Sequence, residues 1–254
     1  MPFTISHAVL APPISKLTGH ALPVAALAIG CMVPDLYRLF TQENSNTTHL
    51  WTSIIHPDLW IGLVFCLLWY LLYRPVIYRL SGIQHPLNIQ SFKSAIKFLM
   101  GVIAAVLVGT ATHIIWDGLT HVDFRTFAFK DFLSQNLTLF HHQYPVHRIL
   151  QIGSSIVVLP ILLFMCLQYY RQHQQHHPIS PKIKCFAAML LLTSFVVGCF
   201  SAWDYARYFS TEIWQTDLYF FVGKSINEFT QGALSVFTLG SLLFLFFDRD
   251  HRLG

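Results

Sequence analysis

The sequence predicts an all-α fold: a polytopic membrane helical bundle of about five transmembrane helices plus a short N-terminal half-length or interfacial helix. Two observations lead there. Of 254 residues, 54% are hydrophobic and 11% charged. A soluble domain carries about 25% charged residues, so a soluble fold of this size would lack the polar surface to cover itself. In addition, five windows are long enough to cross a bilayer as helices, at roughly 58–78, 95–116, 149–170, 185–206 and 229–247. A spanning helix needs about 20 mostly apolar residues. With no internal repeat and no low-complexity linker, the chain reads as a single integral membrane domain, 1–254.

The N-terminus, Met1 to His7, has no basic n-region and no cleavage site after a short apolar run, so no removable signal peptide is expected. The apolar run Ala21 to Met32 contains Pro23, stops at Pro34-Asp35 and is too short to cross. It reads as a half-length helix, tolerated at membrane depth when buried in protein or lining a wet cavity. Pro34 should push the preceding residue to extended geometry and deliver the Asp35 carboxylate at a turn. Thr48-His49 and His56 then flank the first span.

Loop charges set the expected orientation. Arg74, Arg79, Lys93, Lys97, Arg171, Lys182, Lys184, Arg249 and Arg252 share one side, and the remaining seven Lys and Arg the other. The positive-inside rule then puts the N-terminus outside the cytoplasm. On that face lie residues 1–57 and the 117–148 loop, the largest polar insertion, whose His141-His142 and His147-Arg148 are placed to cap a site. The run Arg171 to His177 reads as a solvated linker, and Asp204 and Arg207 as a local pair at i, i+3. The five cysteines are scattered, with no C-x-x-C, so they read as small core residues and not a disulfide framework. The modest net charge of +4 without a basic, aromatic-interleaved cluster argues against nucleic acid.

The chemistry concentrates in Thr112-His113-Ile114-Ile115-Trp116-Asp117-Gly118-Leu119-Thr120-His121. His113, Asp117 and His121 recur every four residues and share one helix face. Ionisable groups at the end of an apolar helix are costly unless they pair, hydrate or bind something. Two imidazoles and a carboxylate on one stripe suit a divalent metal, and His7, Asp35 and His49 (with His56 competing for the same place) can complete it. Zinc fits first, with manganese or iron as alternatives. The 1–57 segment is thus read as an N-terminal metal-site segment.

The series Met1-Pro2-Phe3-Thr4-Ile5-Ser6-His7, Gly30-Cys31-Met32-Val33-Pro34-Asp35, Thr48-His49, His113 to His121 and Gln151-Ile152-Gly153-Ser154-Ser155 resembles the motif order of a bacterial membrane family known as domain of unknown function 4184. It is similar, more loosely, to bacterial inner-membrane proteins grouped as metal-dependent hydrolases. That second resemblance implies a metal set of His7, Asp35, His49, His113 and Asp117. The sequence departs from the hydrolase pattern after His49, where Leu50 and Trp51 stand and no Arg-Gly pair does.

These readings converge on a multi-pass protein of the bacterial inner membrane, hydrolase-like, with a metal site at the extracytoplasmic face. Asp35, Asp117 or a non-ligating His would act as general base, membrane lipids would surround the protein, and a lipid or lipid-linked substrate follows from location. The alternatives are a structural metal site and a His/Asp cluster that couples ions or protons. An ion path needs ionisable groups continuing across the membrane, and the interiors of 149–170 and 229–247 carry no charge. Gly198, Gly232 and Gly240 permit close helix contact but form no G-x-x-x-G pair, so nothing in the sequence supports a dimer.

Overall fold

The computed structural model describes residues 4–41, 47–139, 141–175, 178–209, 218–249 and 252–253. The chain opens with a 3-10 turn, Thr4–Leu10, followed by α1 (Ala11–Leu17), α2 (Val24–Gly30) and α3 (Val33–Leu36). At about 1.5 Å per residue, α2 is roughly 10 Å long, a third of a hydrocarbon core about 30 Å thick. It is the short helix, half-length or interfacial, that the sequence predicts not to cross. Val33, the residue before Pro34, is not extended, however, but opens α3. Pro34 occupies the first turn of α3, where a proline sacrifices no helical N–H bond and its fixed φ suits the helix start.

The helical run α4 (Trp51–Ser81) follows, then α5 (Phe92–Thr120), α6 (Lys130–Leu133), a hairpin of β1 (Asn136–Leu139) and β2 (His142–Pro145), α7 (Val146–His173), α8 (Pro181–Ala206) and α9 (Leu218–Phe247). Among the described residues, the five helices long and apolar enough to cross a membrane are α4, α5, α7, α8 and α9. They correspond one to one with the predicted windows. Each begins earlier than its apolar window, and in α5 and α8 a capping serine closes the polar flank. Ser91 starts α5 with a reciprocal capping box to Ser94, and Ser180 caps α8 ahead of Pro181. An antiparallel hairpin interrupts the helices in the 117–148 loop, and His141, at φ +67°, lies between its strands.

The chain divides into two compact units: Met1–Cys66 with Asn88–Cys166, and Leu67–Leu87 with Leu167–Gly254. In the first, α2 crosses α5 at backbone contact. A Cβ on Gly30 would stand 2.6 Å from the Val106 carbonyl oxygen, and one on Gly109 2.6 Å from both Cys31 N and Leu27 O. Small residues let the two backbones approach this closely. Cys31 Sγ lies 3.2 Å from Thr112 Oγ1, and Thr110 Oγ1 donates to the Gly30 carbonyl at 3.3 Å. This contact fixes where the end of α2 meets the polar stripe of α5.

In the second unit, α8 and α9 pack closely, with Gly198 against Phe229, Gly232 against Ser201 and Gly240 against Leu190. Val76, Ile183 and Phe244 form its core. Arg79 Nε donates to Asp248 Oδ2 at 3.0 Å, and the Tyr78 and Tyr169 hydroxyls meet at 2.6 Å. The run from Arg171 ends α7. His173 stacks on His85, its Nδ1 donates to the Tyr169 carbonyl oxygen, and His176 and His177 lie outside the described residues. Asp204 and Arg207 form the expected exposed pair.

Candidate metal centre

Four chain segments, all within the first unit, bring His7, Asp35, His49, His113, Asp117 and His121 together. His7 comes from the N-terminal 3-10 turn, Asp35 from α3 and His49 from the 3-10 turn Thr47–His49, while α5 and its C-cap provide the others. His7 Nε2 is 3.7 Å from Asp117 Oδ1, and His49 Nε2 is 3.3 Å from Asp35 Oδ1 and 3.7 Å from Asp117 Oδ2. His113 Nε2 is 3.5 Å from Asp117 Oδ2. The His7 and His113 rings stack at 3.9 Å. All six side chains are buried.

The local hydrogen bonds decide which atoms remain free. His113 Nδ1 lies 2.8 Å from the Cys31 carbonyl oxygen. A carbonyl only accepts, so Nδ1 carries the proton and Nε2 keeps its lone pair. Thr48 Oγ1 donates to the Pro34 carbonyl at 2.8 Å and lies 3.3 Å from His49 Nδ1. The hydroxyl has spent its proton, so His49 Nδ1–H donates to it, and Nε2 again is a bare acceptor. Thr4 Oγ1 donates to Asp35 Oδ2 at 2.8 Å, and Arg125 Nη1 to Asp117 Oδ2 at 2.9 Å. Each carboxylate is thereby held by one oxygen while Oδ1 stays open.

Among the described residues, both ring nitrogens of His7, Asp35 Oδ1, His49 Nε2, His113 Nε2 and Asp117 Oδ1 are buried without a hydrogen-bond partner. Each such orphan costs about 1–3 kcal/mol, and native interiors hold few of them. Here they converge. Ligand atoms of His7, Asp35 and His113 lie within 4.8 Å of one another, as do those of His49, His113 and Asp117. Lone pairs facing each other at 3.3 Å, as His49 Nε2 and Asp35 Oδ1 do, require a proton or a cation between them. Zinc bonds of about 2.0–2.1 Å in a tetrahedron imply ligand–ligand edges of roughly 3.3 Å. The donor set and spacing therefore fit a divalent cation.

Burial favours the neutral, ligand-competent form of His7, His49 and His121. Burial holds the His7 ring well below its ordinary value, with the charge of His113 adding to it. Burial also lowers His49, against the pull of Asp35. His121 is pushed down to about 4 by burial, again against a carboxylate, Asp117.

His121 stands beside this cluster rather than in either group of three. Its Nδ1, 3.6 Å from Asp117 Oδ1, donates to the Asp117 carbonyl oxygen at 3.1 Å. His56, the competitor of His49, is exposed. The histidines expected to cap the site lie elsewhere. His142 is on the exposed hairpin, and His147 Nδ1 donates to the Leu133 carbonyl at 3.2 Å. Arg125 takes that place, and sequence reasoning missed it. Its guanidinium joins Asp117 to Asp123, with Nε 3.0 Å from Asp123 Oδ1. Burial works against the charge, but Asp123 and Asp117 raise it further. The signal in the sequence was an Asp-x-Arg turn eight residues after Asp117. Gln151 and Ser155 serve as braces: Gln151 Nε2 donates to the Thr120 carbonyl at 2.8 Å, and the Ser155 carbonyl accepts from Ser6 Oγ at 3.4 Å.

Partners that orient a metal-binding carboxylate matter about as much as tens-fold in affinity. Arg125→Gln is expected to weaken metal binding about 10–100-fold, read as a shifted midpoint in a competitive zinc titration against a fluorescent chelator.

Fold and site define a multi-pass helical membrane protein with an enclosed His/Asp cluster in its first unit. A family model described as Domain of unknown function (DUF4184) matches residues 1–244, and the chain belongs to that family. No curated protein and no solved structure matches the chain.

Proposed function

We propose that the protein is a metal-dependent hydrolase of the bacterial inner membrane, working at the extracytoplasmic face on a lipid or lipid-linked substrate. His7, Asp35, His49, His113 and Asp117 would hold the cation, zinc before manganese or iron. The observation that carries this reading is the convergence of orphaned buried nitrogen and oxygen atoms, the companion atoms of which are tied down in Asp35, His49, His113 and Asp117. A cation held there supplies Lewis acidity, lowering the pKa of water towards neutrality and polarising a phosphoryl or acyl oxygen.

The two carboxylates suit different tasks. Asp117 is wholly enclosed and clamped by Arg125, which favours a fixed ligand. Asp35 stands next to the half-exposed Arg38 at 3.6 Å, which favours accepting a proton from water at the open edge. Extracytoplasmic placement rests on the Lys and Arg distribution, and a membrane-derived substrate on the apolar spans around the site.

The test is elemental analysis of the full chain purified in detergent, followed by hydrolysis of chromogenic phosphate and carboxylic esters. About one metal per chain is expected, with hydrolysis lost on chelation and restored by zinc. A chain free of metal refutes the reading, and metal without any metal-dependent hydrolysis reduces it to a structural site. Asp35→Asn is expected to weaken zinc binding and, at saturating zinc, to lower turnover by about 100-fold or more, the scale of general base catalysis.

A further inference from the structure

We infer that Arg38 makes this a site for a phosphate ester rather than a neutral carboxylic ester, an inference that rests on the metal reading above. The donors of the cluster are buried, whereas the Arg38 side chain is 36% exposed. A ligand approaching from solvent at that edge passes the guanidinium. Arg38 Nη1 lies 3.6 Å from Asp35 Oδ1, the same oxygen that faces His49 Nε2 at 3.3 Å. Among the described residues this is the contact its guanidinium makes, so its donors are not spent on another side chain. A planar guanidinium fork matches two oxygens of a phosphate.

Charge selects the same ligand. A divalent cation with neutral imidazoles, Asp35, Asp117, Asp123, Arg38 and Arg125 leaves the enclosed group net positive, so an anion completes it and a neutral ester does not. Arg125 cannot fill the role of Arg38, since its donors already meet Asp117 and Asp123. The apolar setting of Arg38 also matters. Phe40, two residues on, is 70% exposed and lies 5.9 Å, ring to ring, from Phe65 in α4. That pair sets the guanidinium beside a spanning helix with apolar surface next to it. A phosphate carried by a lipid and a phosphate on a small soluble molecule share the recognised group.

The test uses the full chain in detergent, loaded with cobalt and titrated with orthophosphate, acetate and short-chain phosphatidic acid while the visible cobalt band is followed. Charge-assisted hydrogen bonds are worth enough that phosphate should bind about 10–100-fold more tightly than acetate. Arg38→Gln should lose about that factor for phosphate with cobalt content unchanged, and Arg38→Lys should recover part of it. Tighter binding of phosphatidic acid than orthophosphate supports a lipid headgroup, and equal binding supports a free phosphate. Equal affinity for phosphate and acetate, or an Arg38→Gln chain that binds phosphate like wild type, overturns the inference alone. A wild-type chain that takes up no cobalt overturns the metal reading and this inference with it.

Discussion

Replacing His113 with alanine is expected to abolish metal binding. His113 belongs to both groups of three potential ligands, so its loss leaves neither complete. The imidazole is also the best oriented of the set, since the Cys31 carbonyl fixes its tautomer at 2.8 Å. Partners that merely orient ligands are worth about 10–100-fold in metal affinity, and removing a shared ligand should exceed the upper end of that range. Thermal melting reads the loss independently. Zinc at about 100 times its Kd should stabilise the wild type by roughly 2.7 kcal/mol. The His113→Ala chain should show no zinc-dependent shift, while still melting cooperatively. An unchanged zinc shift in that variant would remove His113 from the site.

Gly109→Ala is expected to damage the fold and the site together. Its new Cβ would meet Cys31 N and Leu27 O at 2.6 Å, and these are backbone atoms that cannot rotate away. The crossing of α2 and α5 must open, at about 1–3 kcal/mol for an overpacked interior. Opening it moves Cys31, whose carbonyl orients His113, so zinc affinity should fall although no ligand has changed. Gly153→Ala is the matched control. It also lies within a helix, but nothing stands within 4 Å of its added carbon. Helix propensity alone applies there, and the change should be neutral or stabilising by up to about 1 kcal/mol. The two melting temperatures in detergent, with and without zinc, separate packing from composition.

Much of this arrangement is written along a single stripe. Gly101, Ala105, Gly109, His113, Asp117 and His121 recur every four residues, so one face of α5 runs from a small-residue helix contact into a polar cluster. The polar half of that stripe is legible from spacing alone, because i, i+4 residues share a helix face whatever the tertiary fold. The apolar spans are legible for a similar reason, since length and composition suffice to identify them. Ser6 and Thr4, by contrast, carry no pattern that marks them as braces for the distant Ser155 and Asp35.

Other parts depend on which partner a group finds in space. His49 and His56 look alike in sequence. Thr48 distinguishes them, because its hydroxyl bonds Pro34 and draws His49 inward while His56 stays exposed. Arg125 reads as a loop cation until Asp117 and Asp123 are seen on either side of it. His121 shows the opposite case. It has the spacing of a ligand, yet α5 ends there, and it stands outside both groups of three. Asp35 reaches the cluster from a helical turn that begins at Val33 and carries Pro34 in its first turn, where the rule about residues preceding proline predicts Val33 to be extended.

X-ray absorption at the zinc edge of the zinc-loaded full chain tests the central claim most directly. The account predicts a nearest shell of nitrogen and oxygen at about 2.0–2.1 Å with no sulfur, and outer-shell imidazole scattering that weakens in His113→Ala. A spectrum without imidazole scattering, or one with sulfur at about 2.3 Å, would contradict it.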